Sequence, residues 1–150
     1  MGFTTYNVNG YGVMTEHMKP DGETLLRSVV TYKPSLLQAM GIDNLVDLDA
    51  EEFVETFNDE YIDDEGIESG YFGFLCDVVA RETGIRLDYV TGEWKNGVMF
   101  TDRQPWNYTE QEKKLTSLQL KALFTKWFKR VLNIPVLAND MDYISVGIMG

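Results

Sequence analysis

Between Lys33 and Arg81 the chain carries thirteen carboxylates and no basic residue, and this segregation restricts the folds open to it more than any other feature. The acids are Asp43, Asp47, Asp49, Glu51, Glu52, Glu55, Asp59, Glu60, Asp63, Asp64, Glu65, Glu68 and Asp77. Burying a carboxylate without a partner is costly, so any element formed here must turn its acids to water and its apolar residues inward. Phe53, Val54, Phe57 and Tyr61 meet that demand, recurring at helical spacing behind Asp49, a good N-cap for a helix to about residue 60. Opposite that stripe Glu51, Glu55 and Asp59 form one row at i, i+4 and i+8, with Glu52 beside it. Each like-charged pair in such a row costs about 0.2–0.5 kcal/mol. The following loop adds Asp63, Asp64, Glu65 and Glu68, so one continuous negative surface is expected.

Outside this stretch the balance reverses. The other 11 acids face all 13 bases, so the formal charge of −11 arises in the middle of the chain. Such a field repels DNA, RNA and anionic lipid at long range and attracts basic partners or cations. A length of 150 residues suits one domain, residues 1–150, and 44% hydrophobic residues is ordinary for a folded protein. Cys76 is the single cysteine, which excludes an intrachain bridge and fits a reducing cytoplasm. Residues 1–5 lack the basic and apolar regions of a secretory leader, and no apolar run approaches a membrane span, so a cytoplasmic location is expected.

Residues 3–14, rich in Thr, Val and aromatics with Gly10 and Gly12 interspersed, predict a first strand with a bend or bulge. Asp21-Gly22-Glu23 opens a helix to about Tyr32, Pro34 breaks it, and a short helical turn reaches Met40-Gly41. After the Asp49 helix, Ser69 caps an apolar helix containing Phe72, Phe74, Leu75, Cys76, Val78 and Val79, in which Asp77 and Arg81 can pair. This is the expected central buried helix, ended by Gly84. Alternation at Ile85, Leu87 and Tyr89, then Val98-Met99-Phe100, predicts a hairpin turning at Asn96-Gly97. Thr116 and Gln119 form a capping box for a helix to about Leu132, with core face Leu120, Leu123, Phe124, Trp127, Phe128 and Val131. Tyr143 to Ile148 reads as a last strand. The order β-α-α-α-β-β-α-β gives an α+β fold, a small, partly antiparallel sheet of about four strands packed with helices.

Motifs for catalysis are missing from the pattern. His17 is the single histidine, so a Cys–His nucleophile pair needs two distant segments to meet, and a zinc site of the usual Cys/His kind lacks ligands. Gly10-Tyr11-Gly12 starts like a phosphate-binding loop, but Thr15 stands where the third glycine belongs. Placing Gly66 at the sixth position of a calcium loop puts Tyr61 first and Phe72 twelfth, which no EF-hand tolerates. No catalytic, cofactor-binding or metal-ligating residue is therefore expected, and thirteen acids in one stretch single out no pair for acid–base work.

The acidic segment admits two readings. One is a solvated helix face whose repulsion is relieved by the basic last helix packing nearby. In the other, carboxylates one helical turn apart, about 6 Å, imitate nucleic-acid phosphates and fill the basic groove of another protein. The opening Thr4-Thr5-Tyr6-Asn7-Val8-Asn9-Gly10-Tyr11-Gly12-Val13, together with the acidic middle and the short last strand, resembles small proteins of bacterial phages and mobile elements. Among these, anti-CRISPR and other anti-defence inhibitors are often short, acidic nucleic-acid mimics. The resemblance implies a non-enzymatic inhibitor that binds a basic nucleic-acid-processing protein, without direct contact to nucleic acid or membrane. The partner-binding residues expected on that reading are Glu51, Glu52, Glu55, Asp59, Glu60, Asp63, Asp64, Glu65 and Glu68. Two alternatives belong to other classes: an assembly protein that forms homo-oligomers through aromatic surface around Trp94, Trp106 and Tyr108, and a divalent-ion-dependent hydrolase.

Overall fold

The two ends of the chain meet as neighbouring strands. In the computed structural model, which describes residues 5–45 and 47–149, β1 (Thr5–Met14) runs antiparallel to β4 (Met141–Met149). On its other edge β1 pairs with β3 (Asn96–Thr101), which pairs with β2 (Asp88–Thr91), giving the order β2-β3-β1-β4. All three pairings are antiparallel, so the sheet is more uniform than the sequence predicted. Phe3 and Thr4, assigned to the first strand from sequence, lie outside the described residues.

Gly10 and Gly12 stand opposite Thr101 and Met99 in an unbroken register, so the predicted bulge is absent. What these glycines provide is proximity. A Cβ at either position would overlap the β3 carbonyl of Phe100 or Val98. The hairpin between β2 and β3 is present but turns three residues earlier than predicted, centred between Glu93 and Trp94. Asn96 and Gly97 already pair with Thr91 and Val90, and residues 92–95 make the reversal. The Asn96 side chain closes that turn from outside it, its Oδ1 accepting from the Gly92 N–H at 3.2 Å, a local bond that dipeptide statistics do not encode.

Helices cover the sheet, and their starts follow their caps. Asp21 accepts from the Thr24 N–H at 3.1 Å to open α1 (Gly22–Tyr32), and α2 (Ser35–Ala39) follows Pro34. Asp49 accepts from the Glu51 and Glu52 N–H groups at 2.9 and 3.3 Å to open α3 (Ala50–Glu60). In α4 (Gly70–Thr83) Phe74, Leu75 and Val79 are wholly buried, and Gly84 ends the helix at φ +74°. Ser69 precedes α4 without capping it, because its Oγ lies against Gly73, buried and unpartnered.

A helix that the sequence reading missed, α5 (Glu110–Lys113), is closed by a reciprocal capping box between Thr109 and Glu112. The predicted box at Thr116 and Gln119 opens α6 (Ser117–Trp127). The expected continuous helix to Leu132 instead widens into a π-helical turn, Phe128–Leu132, stopped by Asn133 at φ +54°. Widening leaves carbonyls without their usual partners, and α1 satisfies two of them. Ser28 Oγ donates to the Val131 carbonyl at 2.8 Å, and the Asp21 N–H donates to that of Leu132 at 3.0 Å. Phe53, Phe57, Tyr61 and Phe74 bring α3 onto α4, with Phe57 stacked on Tyr61 at 5.0 Å and edge-on to Phe74 at 5.2 Å.

The close approach at β1 gives a direct test. Replacing Gly12 by Ala forces β1 and β3 apart, and chemical denaturation is expected to show a loss of about 1–3 kcal/mol from overpacking.

Candidate functional site

The apolar stripe of α3 turns inward as its spacing requires, which fixes what faces out. Glu51, Glu52, Glu55, Asp59 and Glu60 are all exposed. At about 100° per residue they span roughly half the circumference of the helix, the half away from Phe53 and Phe57. None of the five side chains forms an ion pair among the described residues. Lys33 and Arg81, which bound the basic-free stretch, are directed elsewhere.

Both converge on Asp64. Lys33 Nζ lies 3.1 Å from Asp64 Oδ1 and Arg81 Nη2 lies 2.8 Å from the same oxygen, while Arg81 Nε donates to Oδ2 at 3.2 Å. The predicted Asp77–Arg81 pair is therefore not formed. Asp77 instead accepts from the Tyr61 hydroxyl at 2.5 Å and the Asp64 N–H at 3.1 Å, with Lys33 Nζ 3.9 Å away. Lys33 also donates to the Tyr61 oxygen at 2.7 Å and stands over its ring at 4.9 Å. Burial raises the Asp77 carboxyl above its ordinary range, outweighing the Tyr61 hydrogen bond. At Asp64 burial acts in the same direction, but hydrogen bonds from Lys33 and Arg81 prevail and hold the carboxyl low. The Tyr61 phenol is pushed up by burial and by Asp77, so it stays a donor.

The loop between α3 and α4 is held by its own side chain. Asp63 Oδ1 accepts from the Glu65 and Ile67 N–H groups at 3.0 and 2.9 Å, Gly66 turns the chain at φ +84°, and Ile62 and Glu68 bridge. Glu65 and Glu68 remain exposed. The structure thus divides the nine predicted binding residues. Five lie on α3 and two on the loop as exposed carboxylates, Asp63 shapes the loop, and Asp64 is neutralised within the fold. The counter-charge comes from α1 and α4, and not from the last helix as the solvated-face reading supposed.

Asp63, Glu65 and Glu68 also approach Asp77 and Asp88 around a cavity of about 120 Å³. Among the described residues, however, no group of three or more His, Cys, Asp and Glu is arranged to hold a metal ion. Cys76, on the wall of this cavity, is buried, and burial raises its thiol well above the ordinary value; His17 is exposed in the loop after β1. The aromatic trio is dispersed in role. Trp94 at the hairpin turn is 85% exposed and Trp106 is 75% exposed, whereas Tyr108 is half-buried, stacked on Phe100 at 5.7 Å with its hydroxyl accepting from the Arg103 N–H at 2.8 Å. No described helix is long and apolar enough to cross a membrane. No protein family, curated protein or solved structure matches the chain.

A second ion pair anchors the far end of the molecule. Glu112 is buried, and its carboxylate takes the Arg86 side chain at 2.6 and 3.1 Å, the Arg86 N–H at 3.1 Å and the Thr109 N–H at 2.9 Å. Burial alone would raise its pKa, but these donors bring it down from 4.5 to about 2. A depressed carboxylate stabilises the fold above its unfolded value and ceases to do so as pH falls through the folded one. Stability is therefore expected to decline as pH falls from 4.5 towards about 2, and acid titration of Glu112→Gln should show that part of the decline removed. Lys33→Met, which leaves Asp77 and Asp64 without their shared cation, is expected to cost about 1.5–3 kcal/mol in urea denaturation.

Proposed function

We propose that the protein is a non-enzymatic binding module that seats the acidic face of α3 in a basic nucleic-acid-binding groove of another protein. The observation that carries this reading is selective neutralisation. Lys33 and Arg81 both serve Asp64, while Glu51, Glu52, Glu55, Asp59 and Glu60 are left without an internal counter-ion among the described residues. A row of like charges raises the energy of the helix that carries it, and a surface kept in that state is relieved by an external cation. Carboxylates one turn apart, at about 6 Å, repeat at a spacing close to that of phosphates on a strand. Glu65 and Glu68 extend the same sign of charge beyond the end of α3. This is the chemistry that the likeness to phage-borne anti-defence inhibitors implies, with Asp63 and Asp64 removed from the contact set. The field that attracts such a groove also repels nucleic acid, so the partner is bound in place of its substrate.

The exposure of Trp94 at 85% and Trp106 at 75% supports a second reading, self-association through aromatic surface. The two readings respond oppositely to salt. In a titration of purified nucleic-acid-binding nucleases carrying a labelled duplex, the protein is expected to displace the duplex at low salt and to lose affinity at least about tenfold by about 0.5 M salt. The triple variant Glu51→Gln, Glu55→Gln, Asp59→Asn should lose displacement while keeping its fold. Inhibition insensitive to salt, or an equally potent triple variant, refutes the mimic. A salt-resistant oligomer that Trp94→Ser and Trp106→Ser dissolve establishes the aromatic interface instead.

A further inference from the structure

The basic side chains are distributed as unevenly as the acids. Of the five arginines, Arg81, Arg86 and Arg103 each hold a carboxylate, at 2.8, 2.6 and 2.9 Å. Arg27 and Arg130 form no ion pair among the described residues, although Arg27 acts electrostatically on Asp21, and both line one open groove of about 880 Å³ between α1 and the end of α6 with its π turn. Lys126 and Lys129 line it as well, also without a carboxylate partner. Lys126 Nζ and Arg130 Cζ stand 5.3 and 5.1 Å from the centre of the Trp127 ring, which holds these long side chains near the groove wall. Asp21 is the single carboxylate in the lining, and it is engaged as the α1 cap by the Thr24 N–H and hydroxyl at 3.1 and 2.8 Å.

In a protein of net charge −11 this groove is a local concentration of the opposite sign. α1 packs against both α3 and the π turn, and none of the α3 carboxylates is in the lining of the groove. We propose that this groove binds a compact polyanion, a small ligand carrying two or more adjacent phosphates. Guanidinium groups match phosphate oxygens in a two-pronged geometry, and lysines add point charge. The volume falls within the range of about 300–1,000 Å³ usual for small-molecule sites. Compactness follows from the surrounding field. Charges are screened beyond about 8 Å at physiological ionic strength, so a di- or triphosphate seated among the four cations is governed mainly by the lining itself, which holds one carboxylate, Asp21. An extended nucleic acid, or a second copy of this chain with its own charge of −11, meets those faces and is repelled. The inference is independent of the proposed function, since the two surfaces have opposite charge and share no residue.

The test is calorimetric titration of the full chain with inorganic pyrophosphate and tripolyphosphate. Binding tighter than about 1 mM is expected at physiological salt, stronger for tripolyphosphate, with amide shifts at Arg27, Thr125 and Asn133. Lys129→Ala with Arg130→Ala, both exposed positions, should weaken it at least about tenfold, while Lys19→Ala, on the loop before α1, leaves it unchanged. Absence of binding at about 5 mM, or equal affinity in the double variant, overturns the proposal. So does tighter binding of a single-stranded oligonucleotide than of tripolyphosphate. A low-salt oligomer lost in the double variant assigns the groove to a second copy and overturns it as well.

Discussion

The structure depends on how Lys33, Tyr61, Asp64, Asp77 and Arg81 meet. Three helices and a loop contribute one network: Lys33 follows α1, Tyr61 follows α3, Asp64 lies in the loop, and α4 supplies Asp77 and Arg81. The side chains of Lys33 and Asp77 are only 16% and 13% exposed, so the network lies partly out of water, where an unmatched charge is expensive. Tyr61 belongs to this network through its hydroxyl and to the core through its ring, which packs on Phe57 and Phe74, so the same side chain ties α3 to α4 in both ways. Without Lys33 the Asp77 carboxylate and the Tyr61 oxygen lose their cation, and Asp64 keeps only Arg81.

That arrangement explains why the protein is electrically divided on its surface as well as in its sequence. The cations adjoining the acidic stretch are taken up by Asp64 and Asp77, so the outer face of α3 receives none among the described residues. Beside the π turn, the groove gathers four cations around a single carboxylate, Asp21. The two complementary surfaces share no residue, and no ion pair joins them among the described residues. Both proposals rest on this separation, one for each sign of charge.

The π turn belongs to the same scheme. It ends α6 by directing the Val131 and Leu132 carbonyls to α1, through Ser28 and the Asp21 N–H, and this joins the groove's two walls. Lys129 and Arg130 sit within that turn, so the bonds that seal the core also place the cations at the groove. No periodicity marks such a turn, because Phe128 and Val131 fit the inward face of an ordinary α-helix equally well.

Much of the fold was legible in the sequence because it is written in short-range chemistry. Asp21, Asp49 and Thr116 cap the helices assigned to them, Gly84 ends α4, and the stripe Phe53, Val54, Phe57 and Tyr61 buries as its spacing demands. Each of these is decided within one or two turns of chain, and the same holds for the outward direction of Glu51, Glu55 and Asp59. Tertiary structure alone decided where distant charges meet. Arg81 took Asp64, 17 residues away, over the nearer Asp77, and Lys33 reached across 31 residues to the same carboxylate. It thereby set Asp64, which is ion-paired, apart from the unpaired acids of α3, whereas the shifted hairpin turn and the Asp63 loop rest on bonds spanning four residues or fewer. The physical reason is range: capping and amphipathicity act between neighbours in sequence, whereas an ion pair is formed by whichever groups the packed core brings together.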